Sequence, residues 1–326
     1  MPLTCILCVD FEQQERMTKM KRIERAAIIG MGSMGILYGS CILERLGKDA
    51  VSYPANERRR MRFAEQGVSC NGRDCPFQLV EETADTRWAD LVIFAVKATS
   101  LASAIDTARK QIGPETTILS LMNGISSEEI LGEAFGKEKI IYAVALGMDA
   151  QKQGNRITYT RLGKTVLGIP AAEADKSDRL EAVMDFFTRA GLPFEKSEDI
   201  QKQLWGKFML NVGVNQITMV YESTNQVIQQ PGAARDLMCK AMKEVVGIAA
   251  LEHVNLTKAD FQSYLAMIDS FPSNGCPSMR QDGMAHRPSE VELFSGTVLR
   301  LARKHGVAVP ANEEIYRRVQ CMEAAY

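Results

Sequence analysis

The chain has 326 residues, 46% hydrophobic, 24% charged and 7% aromatic, which is close to an average globular protein and excludes a disordered or fibrous one. Its 39 lysines and arginines against 40 acids give a formal net charge of −1 with no long basic block, so a general nucleic-acid binder is excluded. At roughly 100–200 residues per domain the length predicts two domains. No apolar run reaches the roughly 18 residues that a membrane span requires, so a soluble protein without membrane partners is expected.

The chain begins MPLTCILCVDFEQQER, without a basic leading segment, and Asp10 and Glu12 interrupt its apolar stretch, which argues against a signal peptide. Residues 1–22 are expected to be a non-folding extension, with Met17 and Met20 just ahead of the first strand. Cysteines are scattered at Cys5, Cys8, Cys41, Cys70, Cys75, Cys239, Cys276 and Cys321 without a framework spacing, as in a reduced cytoplasmic protein. Cys5 and Cys8 form a CxxC, but no second pair or nearby histidine completes a zinc site, and no metal is expected.

From residue 23 to 198, short β-branched runs alternate with helical spacing. Strands are predicted at Ala26–Ile29, Ala50–Tyr53, Leu91–Val96, Thr117–Leu121 and Ile140–Leu146, with helices over segments such as Gly35–Leu46 and Leu101–Gln111. This alternation predicts an α/β domain built on a parallel sheet covered on both faces. Arg156–Arg161 and Thr165–Ile169 flank Leu162-Gly163 and read as a hairpin, followed by a helix around Leu180–Ala190 and a strand near Pro193–Glu195. Residues 199–326 read as helices only, at about 199–222, 232–252, 257–269, 291–305 and 311–324, with Gly306 as a C-cap and Pro310 as a stop. A second, all-helical domain is therefore expected from residue 199.

Gly30-Met31-Gly32-Ser33-Met34-Gly35 fits G-x-G-x-x-G directly after an apolar strand and at the start of a helix. The first glycine allows the tight turn, the second lets backbone approach a pyrophosphate, and the third lets helix and strand pack closely. Amides at the helix start then hold the anion. The second strand ends Ser52-Tyr53-Pro54-Ala55-Asn56 with no acid at its tip, where NAD sites carry one for the ribose 2′-hydroxyl. Arg58-Arg59-Arg60 follow, either to receive a 2′-phosphate or as a solvated helix face, and the expected cofactor is NADPH.

In the first C-terminal helix, Lys207, Asn211 and Asn215 are spaced four apart within an apolar sequence. At about 100° per residue they stay within some 80° of each other, so an ammonium and two amides share one stripe. Asparagine is a poor helix former, so two at this spacing point to a polar task, against the alternative of a solvated or helix-contact stripe. Farther on, Ser278 opens SMRQD, and Ser289 and Glu292 match an S-x-x-E capping box. Glu290 has no such structural task. It is expected in the first helical turn, where the dipole favours its ionised form.

The chain resembles the ketopantoate reductase family from Arg25 to its end. The matching segments are GMGSMG at Gly30–Gly35, AVKA at Ala95–Ala98, NGI at Asn123–Ile125, KFMLNVGVNQIT at Lys207–Thr218, PSMRQD at Pro277–Asp282, PSEVELFSG at Pro288–Gly296 and HGVAVPAN at His305–Asn312. The resemblance implies a Rossmann-type domain followed by a helical domain, with the active site in the cleft between them and a homodimer left open. It implies NADPH-dependent reduction of 2-dehydropantoate (ketopantoate) to pantoate, on the route to pantothenate. By position, Lys207 matches the catalytic lysine and Asn211, Asn215 and Asn225 match substrate-contacting asparagines. Ser278 matches the serine for the substrate carboxylate, and Glu290 the acid near the nicotinamide ribose and the lysine. Lys97 and Asn123 match cofactor-contacting positions at strand ends. The family's common proline and Leu-Thr-Ala after the second asparagine are Gln216 and Ile217-Thr218-Met219 here, which bears on the choice of 2-keto acid.

The residues are chemically coherent apart from the resemblance. Hydride addition to a ketone develops negative charge on oxygen, and a cation that gives a proton, as Lys207 can, meets that need. The competing readings are a dehydrogenase for another branched keto or hydroxy acid and a non-catalytic NADPH-binding protein, which would be expected to lack Lys207 or Glu290.

Overall fold

The computed structural model describes residues 22–84 and 87–326. Apart from Arg22, the extension expected over residues 1–22, with Cys5, Cys8, Met17 and Met20, lies outside them. Two compact units are present, one running to Met122 and resuming over Glu128–Ile200, the other made of Asn123–Ser127 and Gln201–Tyr326.

In chain order the first unit begins β1 (Ala26–Ile29), α1 (Ser33–Leu46), β2 (Val51–Ala55), α2 (Glu57–Gln66), β3 (Ser69–Cys70), β4 (Arg73–Asp74) and β5 (Gln78–Glu81). Next come β6 (Leu91–Phe94), α3 (Leu101–Ala108), β7 (Thr117–Ser120), α4 (Ser127–Phe135) and β8 (Ile140–Leu146). It closes with β9 (Gln151–Gln153), β10 (Arg156–Thr158), β11 (Lys164–Gly168), α5 (Ser177–Ala190) and β12 (Phe194–Lys196). The main sheet has the order β12-β11-β8-β7-β6-β1-β2-β5, and the stretch from β8 to β5 is parallel throughout. This is the Rossmann-type parallel sheet that the alternating pattern predicts. Its strand order reverses between β1 and β6, where such sheets bind ligands.

Alternation along β1 shows why these runs are apolar throughout. Ala26 and Ile28 join a core with α1 and α5, while Ala27 and Ile29 join the opposite core with α3, so both faces are buried. The expected hairpin of Arg156–Arg161 with Thr165–Ile169 does not form. β10 instead pairs antiparallel with β9 and parallel with β3 in a second sheet of order β4-β3-β10-β9, and β11 pairs antiparallel with β8. The Gly154-Asn155 turn makes the local hairpin. The apolar β11 is drawn into the main sheet because Val166 and Leu167 are buried there.

The second unit carries α6 (Ile200–Val220), α7 (Gln226–Gln229), α8 (Ala233–Leu251), α9 (Lys258–Asp269) and α10 (Ser278–Met284). A π-helical turn at Glu292–Gly296, α11 (Thr297–His305) and α12 (Pro310–Glu323) complete it. None of its described residues forms a strand, in agreement with the helical reading of the sequence. Gly306 ends α11 in the left-handed conformation at φ 66°, as expected, and Pro310 opens α12. Among the described residues no helix is long and apolar enough to cross a membrane.

Helix α6 is apolar around most of its circumference, with Phe208, Met209, Val212, Ile217 and Met219 all at 1% exposure or less. Such a helix is held by neighbours on several sides. At Gly213 the side chains of Met238 and Met242 from α8 come so close that an added Cβ would lie 2.7 Å from Met242. The glycine lets α8 press against the part of α6 that carries the asparagines.

Candidate active site

The glycine turn follows β1, at the point where the sheet reverses order. Gly30 has φ +111°, and a Cβ there would lie 2.6 Å from the Ala95 carbonyl oxygen, while one on Gly35 would lie 2.0 Å from the Gly30 carbonyl oxygen. The protein's own backbone thus demands both glycines. Gly32 differs: its φ is −78°, and a Cβ there would meet nothing nearer than the Ala95 oxygen at 3.6 Å. Nothing among the described residues requires glycine at Gly32. A ligand lying against the backbone would, and a dinucleotide phosphate fits the chemistry of the turn. Helix α1 starts there with no side-chain cap and no acid in its first turn, so amides including those of Ser33 and Met34 would receive an anion without competition. Met31 also belongs to this turn. Tyr53 braces it from behind, since its buried hydroxyl donates to the Gly35 carbonyl at 2.7 Å. Burial pushes the Tyr53 pKa up, keeping it a donor.

At the tip of β2, Asn56 caps α2 by accepting from the Arg59 amide at 3.0 Å. Arg58 is exposed in the first turn of α2, as is Arg59. Arg60 lies 3.8 Å from Glu81. That acid escapes a sequence reading because it sits on β5, which pairs with β2 so that Glu81 stands beside Ala55. Lys97 follows β6 and is exposed, with its carbonyl accepting from the Ser100 amide at 2.9 Å.

In the second unit, Lys207, Asn211 and Asn215 occupy successive turns of α6. Lys207 is half-buried, and Asn211 and Asn215 are buried at 9% and 8% exposure, so the solvated-stripe alternative is wrong for the asparagines. The Asn211 amide nitrogen Nδ2 is fully buried and has no hydrogen-bond partner among the described residues. An unsatisfied buried donor costs about 1–3 kcal/mol. The carbonyl oxygen Oδ1 of Asn225 is in the same condition, while its Nδ2 donates to the Pro272 carbonyl at 3.0 Å. The Asn225 amide also donates to the Gly275 carbonyl at 3.0 Å, which pins the loop leading into α10. Ser278 is the first residue of α10 and is exposed.

Glu290 and Asn123 meet although they are far apart in sequence: Asn123 Nδ2 donates to Glu290 Oε2 at 3.1 Å. Glu290 stands in a bend just ahead of the π turn rather than within a first helical turn, and its carbonyl accepts from the Leu293 and Phe294 amides. The expected capping box is absent. Ser289 Oγ accepts from the Val291 amide at 3.3 Å, the Ser289 amide donates to Glu323 at 2.8 Å, and Glu292 accepts the Tyr316 hydroxyl. The π turn explains the change, because its wider hydrogen-bonding pattern takes the Gly296 amide back to the Val291 carbonyl, five residues earlier.

That turn also gives Gln216 a task. Gln216, fully buried, accepts from the Ser295 amide at 3.2 Å through Oε1 and donates to the Val212 carbonyl at 2.9 Å. Ser295 Oγ meets Asn312 Oδ1 at 3.0 Å, and Glu244 accepts from the Ala311 amide at 2.8 Å and from the amide and side chain of Asn312 at 2.9 and 2.7 Å. A buried polar chain therefore runs from the helix bearing Lys207 to the segment that follows Glu290.

Residues 26–172 match the model of ketopantoate reductase PanE/ApbA, and residues 199–323 match that of its C-terminal domain. The chain belongs to the ketopantoate reductase family. A 2-dehydropantoate 2-reductase of Vibrio cholerae is 23% identical over 254 residues, covering 78% of this chain and 84% of the relative. One from Pyrococcus horikoshii is 25% identical over 299 residues, covering 91% and 97%. Among solved structures, a 2-dehydropantoate 2-reductase from Geobacter metallireducens superposes with TM-score 0.79 at 24% identity over 93% of this chain and all (100%) of that one. D-mandelate dehydrogenase with NADH and anilino(oxo)acetate superposes with TM-score 0.81 at 22% identity over 92% and 99%. This member of the ketopantoate reductase family is thus an oxidoreductase with the Rossmann-type NAD(P)-binding fold of that family.

Two predictions follow from the contacts. Gly35→Ala is expected to destabilise the fold and Gly32→Ala to leave it intact while weakening dinucleotide binding at least tenfold; thermal melting and fluorescence titration check this, and equal effects of the two changes would contradict it. Gln216→Leu strands the Ser295 amide in the interior and is expected to lower unfolding free energy by about 1–3 kcal/mol in urea, whereas a neutral change would remove Gln216 from the polar chain.

Proposed function

We propose that this protein reduces 2-dehydropantoate to pantoate with NADPH, as a cytoplasmic enzyme acting on a free small-molecule 2-keto acid. The observation that carries the reading is the buried, unpartnered Asn211 amide one helical turn from Lys207. A helix interior keeps a donor in that state where a ligand supplies the acceptor, and a polar keto acid has several.

When bound, the nicotinamide supplies the hydride. Gly30, Met31, Gly32, Ser33, Met34 and Gly35 would hold its phosphates, Arg58 would meet the 2′-phosphate, and Lys97 and Asn123 would bind it at the strand ends. As negative charge grows on the substrate oxygen, the Lys207 ammonium stabilises it and delivers the proton. Asn211 donates to substrate oxygen, and Asn215 and Asn225 orient its hydroxyl and carboxylate. Ser278, at the start of α10, hydrogen-bonds the carboxylate. Glu290, oriented by Asn123, holds the ammonium in place and meets the nicotinamide ribose.

Purified protein with NADPH and a panel of 2-keto acids tests the reading through absorbance at 340 nm. Ketopantoate is expected to give the highest kcat/KM. A faster rate with another branched or aromatic 2-keto acid would move the substrate, and no rate with any would exclude the enzyme. Lys207→Ala is expected to lower kcat by roughly 10²–10⁴ with NADPH affinity retained, the range for a lost proton donor. Lys207→Arg should recover little, since guanidinium scarcely gives up a proton near neutral pH. An unchanged kcat in Lys207→Ala would remove the lysine from the mechanism.

A further inference from the structure

The small sheet of β3, β4, β9 and β10 brings a lysine to the glycine turn. Lys152 lies in the middle of β9, opposite Ile157 of β10, and its Nζ donates to the Met31 carbonyl at 2.5 Å. Met31 is the residue between the first two glycines, so this ammonium sits on the backbone of the phosphate-binding turn. Nothing in the G-x-G-x-x-G pattern announces it, because it stands 121 positions beyond Met31 in a polar, exposed strand.

The charges around Lys152 are not those of a structural lysine. Desolvation at the turn, and then the nearby positive charge of Arg62, hold its pKa below the usual lysine value. Arg62 comes from α2, the helix that carries Arg58 and Arg59, and its guanidinium lies 4.5 Å from the centre of the Phe63 ring. Among the described residues no carboxylate forms an ion pair with Lys152 or Arg62. Lys152 thus stands beside a helix start that has no acid in its first turn, and an anion there would offset the repulsion it feels from Arg62. The Met31 carbonyl occupies one of the three ammonium protons, leaving two for other acceptors.

We propose that Lys152 is a phosphate-binding residue of the dinucleotide site, reaching the Gly30–Gly35 turn from the β9–β10 hairpin, with Arg62 as its cationic neighbour. The group bound is a phosphate of the cofactor, from either the pyrophosphate or the adenosine 2′-position. The inference rests on the cofactor reading above.

Dissociation constants of NADPH and NADH, measured by fluorescence titration of the full chain without substrate, test it in wild type, Lys152→Met and Lys152→Arg. Lys152→Met is expected to weaken NADPH binding at least tenfold at unchanged melting temperature, and Lys152→Arg to restore much of it. A loss confined to NADPH assigns the 2′-phosphate; an equal loss for NADH assigns the pyrophosphate. Unchanged constants for both dinucleotides in Lys152→Met would overturn the proposal while leaving the cofactor reading standing. A wild-type protein that binds neither dinucleotide would overturn that reading and this proposal together.

Discussion

A buried amide without a partner is the constraint on which the helical unit turns. Asn211 Nδ2 lies inside a helix packed on several sides, where its unsatisfied donor costs about 1–3 kcal/mol, comparable to a sizeable fraction of a domain's net stability. The surrounding structure is nevertheless arranged to hold the helix firmly: Gly213 admits the methionines of α8, and Gln216 ties the next turn to the π segment. Rigid support around an unsatisfied group is what preorganised binding requires, because the group then meets its ligand without reorganising.

The glycine turn shows the same logic in backbone form. Gly30 and Gly35 are dictated by contacts within the protein, whereas at Gly32 the protein leaves space that it does not use. Here too the informative feature is a choice that folding alone does not explain. Each unit thus carries a feature that folding alone does not explain, the unhindered backbone at Gly32 in the first and the unpartnered Asn211 donor in the second.

How much of this was legible in sequence depended on whether the signal was local. The apolar runs Ala26–Ile29 and Ile140–Leu146 matched their strands to the residue, because both faces of the sheet are buried and the run ends where burial ends. β5 and β9 were invisible, being short and no more than partly buried, and with them went Glu81 beside the tip of β2 and Lys152 on the glycine turn. The mistaken hairpin rested on a turn signal at Leu162-Gly163, but β11 found its partner in β8 and β10 in β9 and β3, a pairing choice that no local pattern encodes. The spacing of Lys207, Asn211 and Asn215 was readable, while the burial of the asparagines depended on α8 and the segments around it. The meeting of Asn123 with Glu290 across 167 residues followed from the fold alone.

The central claim is that Asn211 is kept for a ligand and not for the fold. Urea unfolding of wild type and Asn211→Leu, each with and without saturating ketopantoate and NADP+, an unreactive pair, measures it directly. The account predicts that the unliganded variant is at least as stable as wild type, and that the added stability conferred by ketopantoate is largely lost in it. A variant that is clearly less stable without ligand, yet gains as much from ketopantoate as wild type does, would show that the amide serves the fold and would contradict the account.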